Sequence, residues 1–309
     1  MNIIQKYGSE IKFIFLAHVF NPLWLPRVER RRRRGKYSFR KVEKYLGKYL
    51  PFIKQQKPAL LSAEHQDGPG KIFSIWFQGE ENAPELVKVC MSRLRETYPD
   101  RYVVLDNNNI REWVNLPDFI WKKWEEGKIT HAHFSDICRV ALLYQNGGMW
   151  FDATDYLTSP VPEWIEEADL FMFLEGGTIT PGTFIQSCFM KAKRGNPLMG
   201  MWLESILEYW KNEDHLMHYF LLHYMLRLLV ENNTEAKRLF EEMPQVNQDP
   251  THVLWYLHEG EIYTDELYKR DTEGSFFQKT TFKGKNSRNP KEGTVAEVLI
   301  HRKADNPIR

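Results

Sequence analysis

Cysteine is scarce in this 309-residue chain: only Cys90, Cys138 and Cys188 are present, and they lie far apart. No Cys-x-x-Cys pair or zinc-type spacing occurs, which argues against a disulfide framework and against a structural zinc site. We therefore expect three reduced thiols in a cytoplasmic protein, each serving as a small apolar side chain.

Long hydrophobic segments are also missing. The apolar run near the N-terminus covers only Ile11–Phe20, whereas a membrane-spanning helix needs ~20 apolar residues. A basic cluster follows this run and no small-residue cleavage site is present, unlike the order in a secretory signal. We expect the run to be an interfacial anchor or a docked helix, in a protein that is soluble or peripheral.

The formal net charge is only +1, but the charge is distributed unevenly. Between Arg27 and Lys48 there are eleven Lys or Arg residues and two acidic ones. This segment is either a solvated arm or a surface attracted to an anionic membrane. The apolar, tryptophan-containing stretch directly upstream favours the membrane over nucleic acid as the partner, because basic charge beside apolar anchors holds proteins on bilayers.

The composition is that of a globular protein, with 42% hydrophobic, 14% aromatic and 27% charged residues. No internal repeat is found. The length fits one large α/β domain or two small ones. We expect an N-terminal basic and apolar arm over residues 1–66 and a folded domain over residues 67–309.

The folded domain begins with a strand–helix–strand pattern. Lys71–Phe77 is a short β-branched and aromatic run typical of a strand. Pro84 suits the first turn of a helix, and Tyr102–Leu105 is a second strand. The unit predicts two parallel strands joined by a right-handed crossover.

The middle of the chain contains the segment GGMWFDATD, residues 147–155. Ser135 is a suitable N-cap for a helix over Asp136–Gln145, which Gly147 and Gly148 would end. A strand over Met149–Phe151 then places Asp152 at its carboxyl end, the edge where open α/β sheets bind ligands. A further buried strand is predicted at Leu170–Leu174, followed by helices over Leu198–Trp210 and His215–Glu231.

Three stretches carry a family resemblance: KIFSIWFQGEENAPELVKVC, RYVVLDNNNIREWVNLP and HFSDICRVALLYQNGGMWFDATDYLTSPVP. They resemble the capsular polysaccharide synthesis glycosyltransferases, which are similar to the DxD sugar transferases that share SDxxR…GGxYxDxD. The resemblance runs roughly from Lys71 to Lys283, because PQVNQDPTHVLWYL and SFFQKTTFKG are similar to the family's C-terminal blocks.

The resemblance implies a GT-A-like α/β fold. We expect a Rossmann-type, mixed and mostly parallel sheet flanked by helices, with a helical N-terminal arm and helical C-terminal additions. The nucleotide-binding half would span about residues 71–160 and the acceptor half about residues 161–285.

The resemblance also implies a divalent cation. Loss of a nucleoside diphosphate leaves negative charge that Mn²⁺ or Mg²⁺ held by carboxylates neutralises. Asp152 is the first candidate ligand, although an aspartate at a strand end also caps its own turn. Thr154 departs from the DxD pattern, and its hydroxyl is a poor substitute for a carboxylate. Asp155 would serve only if a turn follows Thr154 directly, because side chains alternate along a strand.

Asp136 and Arg139 are one helical turn apart and can point at one ligand. The simplest interpretation is a surface ion pair worth a few tenths of a kcal/mol. The resemblance instead implies that Asp136 accepts hydrogen bonds from sugar hydroxyls, while Arg139 orients it or contacts the diphosphate. Together with Asp152, these residues form the predicted catalytic set.

Donor binding is predicted at the ends of the first two strands. Trp76 and Gln78 follow the first strand, where Trp76 would stack on the base unless it is a core residue. Asp106 follows the second strand and would contact the ribose or form a turn.

Near the C-terminus, His252 and Lys279 match positions of the family blocks. We expect His252 as a metal ligand and Lys279 as a charge partner of the leaving diphosphate. Ser187 stands where the family more often has an amide. His131 and His133 are spaced wrongly for one helical face and are interpreted as loop or helix-terminal residues.

These features predict a metal-dependent transferase. The donor would be a nucleoside-diphosphate sugar and the acceptor a capsular or other surface-polysaccharide precursor, a glycan or a lipid-linked glycan, at the inner face of the cell membrane. The donor's anomeric configuration would be retained. Two alternatives remain: a glycoside hydrolase, which requires carboxylates on opposite sides of the bond, and a non-enzymatic scaffold that binds membrane or nucleic acid.

Overall fold

The computed structural model describes residues 39–58, 70–176 and 184–301. The predicted interfacial anchor, Ile11–Phe20, lies outside the described residues, as does the basic cluster up to position 38.

A five-stranded mixed sheet forms the centre of the domain, in the order β2–β1–β3–β6–β5. Strands β1, β2 and β3 are parallel, and only β6 runs antiparallel to its two neighbours. A second sheet pairs β4 with β7. The strand bounds are β1 Ile72–Ile75, β2 Tyr102–Leu105, β3 Gly148–Phe151, β4 Asp155–Leu157, β5 Leu170–Leu174, β6 Ile185–Ala192 and β7 Phe277–Lys279. The predicted mixed, mostly parallel sheet is confirmed.

Both faces of the central sheet are buried, as is usual where helices cover a mostly parallel sheet. Alternation along β3 illustrates this arrangement. Trp150 packs into the larger apolar cluster, which also contains the long helices. Met149 and Phe151 point to the opposite face, where the aromatic side chains of β5, β6 and β7 gather.

Helices flank the sheet on both sides. The described α-helical segments are 39–46, Leu50–Gln55, Glu85–Thr97, Ile110–Trp113, Asp118–Glu125, His131–Asn146, Glu163–Glu167, Pro197–Asn212, Leu221–Asn232, Thr234–Glu241, Leu254–His258, Asp265–Thr272, Lys285–Arg288 and Val295–His301. Among the described residues, none of these is both long and apolar enough to cross a bilayer.

The helix before the GGMWFDATD segment is longer than predicted. It begins at His131, and its N-cap is Thr130, whose hydroxyl accepts a hydrogen bond from the backbone N–H of His133. The prediction that Ser135 is the N-cap was wrong, because Thr130 offers the same capping chemistry five residues earlier. His131 and His133 therefore lie in the first turn of the helix. The later helix predicted from His215 also starts downstream, at Leu221.

The two glycines that end this helix have separate roles. Gly147 adopts φ +67°, and its N–H bonds to the carbonyl of Leu143, which ends the helix as predicted. Gly148 adopts φ +99°, and a β-carbon there would lie 2.0 Å from the carbonyl oxygen of Lys71. Only glycine allows β3 to approach β1 this closely. Gly147 and Gly148 together therefore determine where the helix ends and where β3 begins.

The described part of the N-terminal arm, residues 39–58, packs against the domain. Five of its apolar side chains belong to the larger core cluster: Phe39, Val42, Leu46, Tyr49 and Ile53. The buried carboxylate of Glu213 accepts hydrogen bonds from Tyr45 and Tyr49 and pairs with Lys48. Arg40, Lys41 and Lys44 remain on the exposed face.

Candidate active site

Asp152 lies at the centre of a charged cluster at the carboxyl end of β3. Its Oδ1 accepts a hydrogen bond from the indole N–H of Trp150 at 3.0 Å and lies 3.2 Å from Nη2 of Arg139. Its Oδ2 lies 2.6 Å from Nζ of Lys279. The side chain is 25% exposed, so the carboxylate binds two cations and still reaches solvent.

Arg139 joins three elements of the fold. Its Nη1 donates to the carbonyl oxygen of Ser187 at 2.7 Å and to the Ser187 hydroxyl at 2.9 Å. Its Nη2 lies 3.1 Å from Oδ1 of Asp136, and the guanidinium stacks over Trp150 at 4.8 Å. The predicted Asp136–Arg139 pair is therefore formed, but it is directed inward at Asp152 and β6.

Asp155 reaches the cluster because the chain turns directly after β3. The N–H of Asp155 bonds to the carbonyl of Asp152 at 2.9 Å, and the N–H of Asp152 donates to Oδ2 of Asp155 at 3.2 Å. The turn brings Thr154 and Asp155 beside Asp152 and starts β4 at Asp155. The sequence required a turn directly after Thr154, whereas the turn occupies positions 153 and 154 and β4 starts at Asp155; a metal-ligand role of Asp155 stays a prediction.

Lys279 is supplied by β7, the partner of β4, and stands opposite Asp155 in the strand register. Its ammonium contacts three oxygens: Asp152 Oδ2 at 2.6 Å, Thr154 Oγ1 at 2.7 Å and Asp155 Oδ1 at 3.1 Å. A lysine ammonium has three N–H donors. Hydrogen bonds to Asp152 and Thr154 use two of them. Asp155 Oδ1 is an ion-pair contact without a hydrogen bond, so one N–H remains for a ligand.

The electrostatics of this cluster differ between its two carboxylates. Although burial opposes ionisation, Lys279 and Arg139 hold the pKa of Asp152 below its usual value. Asp155 is fully buried, and burial raises its pKa to about 7 in spite of Lys279. Although burial also opposes the charge of Lys279, Asp152 and Asp155 keep its pKa well above the usual value.

Asp136 lies beside the buried histidine His133. Nδ1 of His133 lies 3.4 Å from Oδ2 of Asp136, and the His133 ring packs against Trp210. His133 is 1% exposed, and neither ring nitrogen makes a hydrogen bond. Asp136 itself is partly open, with a 15% exposed side chain. It is thus placed between a buried histidine, Arg139 and solvent.

The predicted donor-binding residues follow the neighbouring parallel strands. Trp76 comes after β1 and Asp106 after β2, so both lie at the same sheet edge as Asp152. The Trp76 ring is partly buried edge-on against Phe282 at 5.4 Å. Asp106 caps its own turn, with Oδ1 accepting from the N–H groups of Asn108 and Asn109. Gln78 is exposed. Base and ribose contacts for these residues stay predictions.

His252 lies near the cluster without touching Asp152 or Asp155. Its Nε2 is 3.0 Å from Nε2 of Gln186 on β6, and its Nδ1 is 2.7 Å from the Thr251 hydroxyl. The ring is 2% exposed, and burial lowers its pKa to about 4, with Lys279 adding to the effect. The ring is neutral at physiological pH, but both of its nitrogens are engaged.

The predicted ligands do not fit a divalent cation in this arrangement. Within residues 39–58, 70–176 and 184–301, no three or more His, Cys, Asp or Glu side chains are grouped as a metal site. An ion on Oδ2 of Asp152 would stand beside the Lys279 ammonium, and like charges at such distances repel. Metal ligation by Asp152, Asp155 and His252 stays a prediction, and it requires Lys279 to move.

Several side chains near the cluster were not predicted as site residues from the sequence. Trp150 and Thr154 bond Asp152 and Lys279 directly. Tyr219 and His223 are electrostatically coupled to Asp136 and Asp152, although they belong to a distant part of the chain. Trp150 lies two residues before Asp152 on β3, so strand alternation could have indicated its position, whereas Tyr219 and His223 reach the site only through tertiary packing.

Comparison with known proteins gives three results. The family model described as capsular polysaccharide synthesis protein matches residues 25–298. An O-glycosyltransferase, braB, of Annulohypoxylon truncatum is 29% identical over 156 residues, which cover 45% of this chain and only 37% of that protein. Among solved structures, the PaToxG glycosyltransferase is 12% identical, with a TM-score of 0.36 over 67% of this chain and 83% of that one.

Proposed function

Because the chain belongs to the capsular polysaccharide synthesis protein family, we propose that it is a glycosyltransferase acting on a surface-polysaccharide precursor. The donor is a nucleoside-diphosphate sugar. The observation that carries the proposal is the contact of Arg139 and Lys279 with Asp152 at the carboxyl end of β3. Two fixed cations at this edge suit a ligand that carries a diphosphate.

The contacts suggest a role for each group. Departure of the diphosphate places negative charge on its oxygens, and preorganised cations stabilise charge that develops in the transition state. Arg139 and Lys279 are held by Ser187, Asp152 and Asp155 before any ligand arrives. Asp136, partly open beside Arg139, accepts hydrogen bonds from donor-sugar hydroxyls. Trp76 and Asp106 extend the donor site along the same edge.

A glycoside hydrolase would need its two carboxylates on opposite sides of the scissile bond. Asp152 and Asp155 instead share one ammonium group, that of Lys279. This arrangement supports a site for an anionic leaving group over one for general acid and base catalysis on a neutral glycoside.

The test is a thermal-shift panel of nucleoside-diphosphate sugars. A ligand at 100 times its Kd stabilises the folded protein by about 2.7 kcal/mol, so one donor should raise the melting temperature clearly above the others. Asp152→Asn should abolish that shift. Asp100→Asn is the matched control, because Asp100 is exposed and precedes β2 at the opposite edge of the sheet. Glycan hydrolysis without any nucleotide, and no shift with any donor, would overturn the proposal.

Retention of the donor's anomeric configuration is part of the proposal and is supported by the similarity of the SDxxR and GG blocks to DxD sugar transferases. NMR of the newly formed linkage measures it. A product with the configuration opposite to that of the donor would exclude retention. That Mn²⁺ or Mg²⁺ assists departure of the diphosphate is a separate hypothesis, which the sequence resemblance implies.

We further propose that the protein works on the inner face of the cell membrane, with the Arg27–Lys48 segment on the bilayer. The exposed Arg40, Lys41 and Lys44 support this, since each basic residue near an anionic surface contributes about 1 kcal/mol. Sedimentation with phosphatidylglycerol vesicles should exceed sedimentation with phosphatidylcholine vesicles. Replacing the arginines of 30–34 by glutamine should reduce that difference. Equal binding to both vesicle types would contradict the membrane proposal and leave the transferase proposal standing.

A further inference from the structure

We propose that the Lys279 ammonium takes the place of a divalent cation at the Asp152 site, so that a nucleoside diphosphate binds and departs without metal. The inference rests on the proposed function. It concerns the source of the positive charge that the leaving group meets.

The first support is the position of the ammonium. The three oxygens around Lys279 come from Asp152, Thr154 and Asp155, the side chains that follow β3. A cation bound in the manner of a DxD motif would draw its protein ligands from this same turn. The ammonium therefore lies where the predicted ion would lie. Because Lys279 is a residue of β7, this positive charge is part of the protein chain itself.

The second support is the substitution at position 154. A hydroxyl accepts a hydrogen bond from an ammonium well but is a poor ligand for a divalent ion compared with a carboxylate. Thr154 Oγ1 is 2.7 Å from the nitrogen of Lys279. With a threonine here the turn matches a monovalent, hydrogen-bonding cation. The departure from the DxD pattern and the presence of Lys279 thus have one common explanation.

The third support is that the arrangement is built into the fold. Asp155 and Lys279 are register partners of β4 and β7, and Asp155 is fully buried. The N–H of Asp152 holds Asp155 Oδ2, so that carboxylate cannot turn toward solvent without breaking the turn. Arg139 holds the other oxygen of Asp152. The ammonium is fixed from several sides before any substrate binds.

The chemistry balances with these groups alone. The bond between the sugar anomeric carbon and the diphosphate oxygen breaks, and its electron pair goes to that oxygen. A bond forms from the acceptor hydroxyl oxygen to the anomeric carbon, and the hydroxyl proton passes to the departing diphosphate oxygen. Lys279 stays protonated and contributes charge and hydrogen bonds. The guanidinium of Arg139, which contacts Asp152, supplies the second positive charge.

Two measurements test the inference. In calorimetry with UDP and GDP, binding to the wild-type protein in EDTA should be as tight as binding with Mn²⁺. Lys279→Met should weaken binding in EDTA by about 10- to 100-fold, the loss expected for hydrogen bonds to a charged group. Lys283→Met is the matched control, since Lys283 is exposed and lies close by in the chain. It should leave binding unchanged.

The second measurement follows free Mn²⁺ by electron paramagnetic resonance without any nucleotide. Wild-type protein should leave the signal of free Mn²⁺ unchanged. Lys279→Met combined with Thr154→Asp should deplete it, because the variant frees Asp152 and Asp155 and adds a carboxylate.

The outcomes separate the two proposals. Nucleotide binding to wild-type protein that requires Mn²⁺ would overturn this inference and leave the transferase proposal intact. So would depletion of free Mn²⁺ by wild-type protein that is lost in Asp152→Asn. If neither UDP nor GDP binds with or without Mn²⁺, the transferase proposal itself fails and the inference fails with it. The measurements on wild-type protein test the inference even if the Lys279 variants do not fold.

Discussion

Oδ1 of Asp155 lies 3.1 Å from Nζ of Lys279, and the two residues face each other in the register of β4 and β7. Asp155 is fully buried and the Lys279 side chain is 15% exposed. A buried pair of this kind contributes little net stability as a whole, but removing one partner leaves an uncompensated charge. This relationship sets the behaviour of the site under mutation and pH.

Replacing Lys279 by methionine should destabilise the fold, because Asp152 and Asp155 both lose their shared cation. Breaking a buried pair costs about 3–5 kcal/mol. The cost should be smaller at pH 5.5 than at pH 8, since Asp155, whose pKa burial raises to about 7, takes up a proton at the lower pH. Urea denaturation at both pH values measures this. Lys283→Met should stay within about 0.5 kcal/mol of wild type, and an equal loss in both variants would contradict the expectation.

Asp155 also makes the stability of the wild-type protein depend on pH. Its folded pKa of about 7 is above the ordinary value of 3.8, so the stability it contributes is full below about pH 4 and is lost as the pH rises through about 7. Asp155→Asn removes this dependence. The free energy of unfolding of the variant should therefore improve relative to wild type as the pH rises. Parallel pH profiles for the two proteins would show that Asp155 is ionised throughout.

His223 should act in the opposite direction. Burial lowers its pKa to about 4, below the ordinary 6.5, and Nδ1 has no hydrogen-bond partner. The titratable groups that act on its pKa are Asp136, Arg139, Asp152 and His218. Its contribution to stability is present above about pH 6.5 and is lost as the pH falls toward about 4.

In His223→Gln, unfolding between these pH values should take up about one proton fewer than in wild type. Denaturation midpoints across the pH range give the proton uptake. The exposed His215→Gln serves as the control. Equal proton uptake in wild type and His223→Gln would show that His223 is not held neutral.

Arg139 should tolerate no conservative replacement. Its guanidinium bonds Ser187 through Nη1 while Nη2 faces Asp136 and Asp152, and a lysine cannot reproduce this planar geometry. We expect Arg139→Lys to lower kcat by about 100-fold or more, the range found when one donor to developing charge is removed. Donor affinity should fall less. The measurement is sugar transfer under saturating donor, with circular dichroism to verify folding. Near wild-type turnover in Arg139→Lys would exclude a geometric role.

Tyr219 should affect binding more than turnover. Its side chain is 61% exposed, while the surrounding protein, Asp136 and Asp152 raise the pKa of its hydroxyl. An exposed ring beside the site suits stacking on a sugar. Tyr219→Ala should raise a substrate KM by about 10-fold and Tyr219→Phe by much less. Ile262→Ala, at another exposed apolar side chain, is the control. Unchanged KM values for both substrates would exclude the contact.

Local sequence signals located much of the site. The i, i+3 spacing put Asp136 and Arg139 on one helical face, and the GG–strand–Asp pattern put Asp152 at the sheet edge. Both placements depend only on the periodicity of a single helix or strand, so the structure retains them. The direction of the Asp136–Arg139 pair, inward to Ser187 and Asp152, depends on β6 and was not predictable from the helix alone.

Lys279 shows what local signals cannot supply. It matched a family block, and a contact with the diphosphate was expected. Nothing near position 279 indicates that its ammonium hydrogen-bonds Asp152 and Thr154 and forms an ion pair with Asp155. That contact depends on the pairing of β4 with β7, and the Asp152–Lys279 hydrogen bond joins residues 127 positions apart. The predicted N-cap at Ser135 was wrong because Thr130, a residue with the same capping chemistry, caps the helix earlier in the chain.

The pairing of β4 with β7 also has a consequence for biosynthesis. The ribosome releases Asp136, Arg139 and Asp152 long before Lys279, so an emerging chain carries the carboxylates of the site without the ammonium that balances them. The positive charge of Lys279 joins the cluster only when β7 pairs with β4. Nascent chains and products truncated before Phe277 lack Lys279, so they would lack the proposed transferase activity.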